Sequence, residues 1–111
     1  MSQFKELPPE LAARAAAGAE GCDEVAWLKA DALAVLACLA GSTAALGGDV
    51  LRRSNGRTEH TYDNWYCERA EGETWLVYAE RSRRAAEDYV RWYSDPEDGS
   101  ILYVLVVSNG A

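Results

Sequence analysis

Asn55-Gly56 restricts the fold of this chain more than any other pair of residues. Both central positions of a type I′ turn need positive φ, and Asn-Gly accepts it best. The pair lies between two runs that read as strands, 44–53 and 58–68. The second is rich in Thr, Tyr and Trp, as strands are. A two-residue loop between them fixes the register. Val50 then opposes Thr61, Gly48 opposes Asp63 and Leu46 opposes Trp65 on one face. Leu51 opposes His60, Asp49 opposes Tyr62, Gly47 opposes Asn64 and Ala45 opposes Tyr66 on the other. A slip of one residue exchanges the two faces.

The face with Leu46, Val50 and Trp65 is the expected core face. The opposite face gathers Asp49, Tyr62, Asn64 and Tyr66. Tyrosine buries area at low entropy cost and keeps a polar tip, so this set reads as a surface for gripping another protein. The alternative is that the tyrosines lie beneath a helix of the same chain. Gly47 and Gly48 remove side chains and open the strand to close approach by another backbone. Asp63 falls on the core face, which requires a backbone or tyrosine-hydroxyl partner or a different register.

The flanking sequence predicts an α+β domain. Leu7-Pro8-Pro9-Glu10 opens a helix that Ala-rich sequence carries to Ala17 and Gly18 ends. Residues 21–24 read as a connection, and 24–28 as a short strand or an aromatic lead into the next helix. A second helix spans 31–39 and is expected to be largely buried, because 32–40 are all apolar. The longest helix covers 74–93. Trp75, Tyr78, Ala79, Ser82, Ala85, Ala86, Tyr89, Val90 and Tyr93 form its core-facing stripe. Residues 101–107 are apolar without alternation, as in a strand covered on both faces. The expected architecture is a small mixed sheet of three or four strands, built on the hairpin and packed by about three helices. Leu46, Val50, Trp65, Trp75 and Tyr89 are its expected core. With 111 residues the chain forms one domain, in which about 1–20 is a less typical helical segment.

Charge narrows the function. The net charge is −7. Nucleic acid is therefore not the expected partner, since phosphate binding needs clustered Lys and Arg. Glu59, Asp63, Glu68, Glu71, Glu73 and Glu80 face a single base, Arg69, between residues 59 and 80. Glu59, Glu68, Glu71 and Glu73 are the expected acidic rim around the tyrosine face, one that speeds encounter with a basic protein. The start of the chain has no secretory pattern, and no apolar run is long enough to span a bilayer. Three widely spaced cysteines, Cys22, Cys38 and Cys67, fit a reduced cytoplasm, with Cys38 as a small core residue.

Catalytic and metal patterns are weak. His60 is the one histidine, and Glu59, Asp63 and Cys67 point away from it along a strand. Asp49 and Asp63 face opposite ways in the hairpin register, so they do not form an acid–base pair. No metal or other cofactor is expected. A small ligand-binding or enzymatic pocket around Asp63, Trp65, Cys67 and His60 is the rival reading.

Gly47-Gly48-Asp49-Val50, the hairpin, Tyr62-Asp63-Asn64-Trp65-Tyr66-Cys67, the helix opened by Trp75 and the closing Ile101-Leu102-Tyr103-Val104-Leu105-Val106-Val107 resemble the immunity protein 40 family. The resemblance covers about residues 20–107 and includes Glu24-Val25-Ala26-Trp27. It implies a small cytosolic α/β protein, encoded beside a toxin of a bacterial polymorphic toxin system. Such a protein neutralises that toxin by binding and is not an enzyme. The resemblance does not identify the toxin.

Overall fold

The computed structural model describes residues 7–19 and 24–110. The reading of Gly21, Cys22 and Asp23 as a connection falls outside them. The elements run α1 (Pro9–Ala12), β1 (Ala16–Ala17), β2 (Val25–Ala26), α2 (Lys29–Cys38), β3 (Ala44–Ser54), β4 (Arg57–Tyr66), α3 (Trp75–Trp92) and β5 (Ile101–Ser108). The main sheet has the order β4-β3-β5, and β1 pairs with β2 in a separate ribbon. Every ladder is antiparallel. The expected mixed sheet is therefore corrected to an antiparallel one: β4 and β5, joined through α3, run in one direction but are separated by β3 and do not pair. The long apolar strand β5 pairs with β3, which places the hairpin strand β3, and not β5, at the centre.

The helices pack on one face of this sheet. Val50, Tyr103, Leu105 and Val107 meet Val35, Leu36, Ala86 and Val90 in the main core. α3 forms because its apolar residues recur at three- and four-residue spacing, and Tyr78, Ala79, Ser82, Ala86 and Val90 are buried. Its start is fixed by the Thr74 hydroxyl, which accepts a hydrogen bond from the Val77 N–H. Its end is capped by Lys29, whose ammonium donates to the Arg91 and Tyr93 carbonyls. Ala85, on the edge of the predicted stripe, is exposed.

Two expectations for the N-terminal half are corrected. The first helix stops at Ala12, and Ala16–Ala17 form a strand instead. Alanine propensity cannot nucleate a helix this short alone, and Ala16 gains more by packing with Leu51, Leu102 and Val104. Cys38 is exposed, not in the core. An all-apolar helix still has one inward face, here Ala32, Val35 and Leu36. Residues 24–28 satisfy both earlier readings. Val25 and Ala26 pair with β1, and Trp27 bridges Tyr103 on the outer edge of β5 before α2 begins. Trp27 is among the largest fully buried side chains, a core role the sequence reading did not assign to it.

Candidate functional site: the open face of the hairpin

The hairpin register holds from the turn to Leu51↔His60, then shifts. Beyond it Asp49 opposes Asn64, Gly48 opposes Trp65 and Gly47 opposes Tyr66. Thr61, Tyr62 and Asp63 therefore stand against Val50 alone, in a bulge. The Thr61 hydroxyl donates to the Val50 carbonyl at 2.8 Å and accepts from the Asp63 N–H at 3.0 Å, replacing the interrupted ladder. Tyr62 sits at the apex with φ of 69°, in the left-handed region that bulky residues rarely enter. The predicted pairings of Asp49, Gly48, Gly47, Leu46 and Ala45 are thus displaced. The displacement along β4 is an even number of residues, so Gly47 to Leu51 keep their expected faces. A second shift, against β5 between Ala45 and Gly47, corrects the start of β3: Ala45, expected on the open face, is fully buried in the main core, and Leu46, expected on the core face, borders the open face.

Asp63 meets both conditions set for it. The register differs, and its carboxylate accepts a hydrogen bond from the Tyr93 hydroxyl. Burial and the Asp63 carboxylate together push the Tyr93 hydroxyl pKa up. Trp65 packs on the helix side, stacked on Tyr89 with ring centroids 4.4 Å apart. Val50 is fully buried, while Leu46, Trp65, Trp75 and Tyr89 are partly buried against the core clusters.

The opposite face divides in two. Leu51, Leu102 and Val104 are covered by the β1–β2 ribbon. Past the ribbon the face is open. Tyr62 is 86% exposed, Tyr66 75% and Val106 40%. The tyrosines do not lie beneath a helix of this chain. Val106 departs from the expectation that β5 is covered on both faces, because the ribbon ends before reaching it. Asp49, Asn64 and Tyr66 line a shallow depression of about 340 Å³ with Gly47, Leu46 and Val106. Tyr62 stands on the bulge beside them, its ring 6.0 Å from that of His60.

The glycine pair has another role than expected. A Cβ on Gly48 would collide with the Val104 carbonyl and the Trp65 ring, and one on Gly47 with the Trp65 carbonyl and Tyr66 backbone. The space is filled by this chain's own strands and indole, not left for a foreign backbone.

The acidic residues do not form one rim. Glu68 and Glu71 are exposed just past the Tyr66 end of β4. Glu59 is exposed at the other end, opposite Arg52. Glu73 is committed internally. Its carboxylate accepts from the Arg81 guanidinium at 2.7 and 2.8 Å and from the Ala70 N–H at 2.9 Å. Those bonds, the Arg81 one first, hold its pKa at about 2. Arg81 also donates to the Glu68 carbonyl and the Cys67 sulfur, closing the β4–α3 loop onto the helix.

The rival pocket does not assemble. Asp63, Trp65 and Cys67 are strung along α3, engaged by Tyr93, Tyr89 and Arg81 respectively. His60 lies across the sheet, paired with Leu51. Among the described residues no three His, Cys, Asp or Glu side chains form a metal-holding group, and no helix is long and apolar enough to cross a membrane.

The model of one protein family, described as immunity protein 40, matches residues 17–107, most of the chain. No curated protein and no solved structure matches it.

Proposed function

The chain belongs to the immunity protein 40 family, and from that premise we propose that it neutralises a toxin of a bacterial polymorphic toxin system by binding the toxin directly in the cytoplasm. The contact centres on the open hairpin face, with Asp49, Tyr62, Asn64 and Tyr66 at the middle and Glu68 and Glu71 on the flank. The observation that carries this reading is the pair of tyrosines standing in solvent at 86% and 75% exposure on one strand, β4. An exposed aromatic held by a sheet loses little entropy on binding, which makes it an effective anchor. The acidic flank adds long-range attraction for a basic toxin surface. Glu59 contributes from the hairpin end, and Glu73 only by fixing the loop that carries Glu68 and Glu71. The protein acts by occupying the toxin, so it needs no cofactor. A stable complex buries roughly 1,600 Å² in total.

Co-purification from the native host, with this chain tagged and the neighbouring toxin expressed, tests the proposal. A stoichiometric toxin domain is expected, and recovery of the chain alone counts against it. Tyr62→Ala and Asp49→Ala are each expected to weaken that complex by more than about 1 kcal/mol without changing the unfolding midpoint greatly. Unchanged affinity in both removes this face from the contact.

A further inference from the structure

The depression beside Gly47 holds a single charged side chain, Asp49, and we infer that Asp49 receives the guanidinium of an arginine presented by the partner. This rests on reading the open hairpin face as the contact surface. Asp49 is half-buried and, among the described residues, makes no hydrogen bond or ion pair within the chain. Of the other half-buried acids, Asp31, Glu73 and Asp95 are engaged, by Arg14, Arg81 and Tyr103, while Glu24 and Glu87 do not line this depression. A partly desolvated carboxylate without a partner is costly alone and gains most from a cation delivered by another molecule. The nearest bases along β3 do not serve it. Arg53 donates to the Gly99 carbonyl at 3.2 Å, and Arg52 projects to the opposite face from Asp49.

The surroundings suit arginine. Asn64, directly opposite Asp49, adds an amide oxygen as a further acceptor. Tyr66 lines the depression with an exposed ring on which a planar guanidinium can stack. Val106, paired with Gly47 and exposed at the edge of the depression, gives the methylene stem an apolar seat. A carboxylate binds a guanidinium through two parallel N–H bonds, which fixes direction as well as charge.

Agmatine is the probe, titrated into the full chain and followed through backbone amide NMR shifts, with butyramide as the uncharged control. The expected result is saturable shifts centred on Gly47, Asp49, Asn64 and Tyr66. They should vanish in Asp49→Asn and persist in Glu68→Gln. Shifts spread over Glu68 and Glu71, shifts unaffected by Asp49→Asn, or no shifts, overturn the inference. With the co-purified toxin domain, Asp49→Asn is expected to lower affinity by at least about tenfold. If Tyr62→Ala weakens that complex and Asp49→Asn does not, the arginine anchor falls and the contact face stands. If neither does, the face itself falls.

Discussion

Single residues set the shape of the hairpin face. Gly48 is required by contact, since the Val104 carbonyl and the Trp65 ring occupy the place of its Cβ. Gly48→Ala is expected to cost about 1–3 kcal/mol, as overpacking does, measured as a lower urea midpoint at constant slope. Tyr62 presents the converse case. Its side chain is in solvent, so little packing is lost when it is removed, and its φ of 69° favours glycine. Tyr62→Gly is expected to unfold at higher urea than Tyr62→Ala, by about 1 kcal/mol. Equal stability would mean the bulge relaxes in both variants.

At the level of elements, α3 organises both loops beside it. Arg83 donates to the Ala40, Gly41 and Thr43 carbonyls, tying down the entry to β3. Ser82, fully buried, accepts from the Ala45 N–H and donates to the Ala79 carbonyl. Ser82→Ala leaves that buried N–H unpaired and is expected to cost about 1–3 kcal/mol by denaturant unfolding. The Arg81–Glu73 pair adds a pH dependence. The Glu73 pKa is lowered from 4.5 to about 2 in the folded chain. Its contribution is therefore complete above about pH 4.5 and is lost as the pH falls toward 2. Comparing urea midpoints across that window, the parent should lose more stability than Glu73→Gln. Parallel curves would show that the pair does not contribute.

For the whole molecule, the long hairpin matters most. The principal extents are 46 × 28 × 24 Å, and the exposed hairpin end carries Arg52, Arg53 and Arg57. The acids Glu68 and Glu71 follow the opposite end of β4. A net charge of −7 distributed in this way gives a field with a direction. Association with the toxin domain is expected to slow as salt rises, while dissociation changes little. A rate constant for association that ignores salt would show that steering plays no part.

Much of this was legible in the sequence because it depends on local rules. Asn55-Gly56 demanded the hairpin, period-three-and-four spacing demanded α3, and the apolar 101–107 run demanded a buried strand. Strand alternation by itself placed Asp49, Asn64 and Tyr66 on one face. Tertiary structure decided the rest. The bulge at Thr61–Asp63 left no sequence signal, because Tyr62 is a residue that normally avoids positive φ, held there by the bulge that the Thr61 hydroxyl bridges. Ala16 and Ala17 became a strand because a neighbouring sheet face needed cover. Glu73 left the acidic rim because Arg81, one turn and a loop away, came within hydrogen-bond reach. Whether the tyrosines faced water was settled by where a two-residue ribbon ends. Local sequence dictates which groups share a strand or a helix face, but coverage of a face is a property of the whole packed chain.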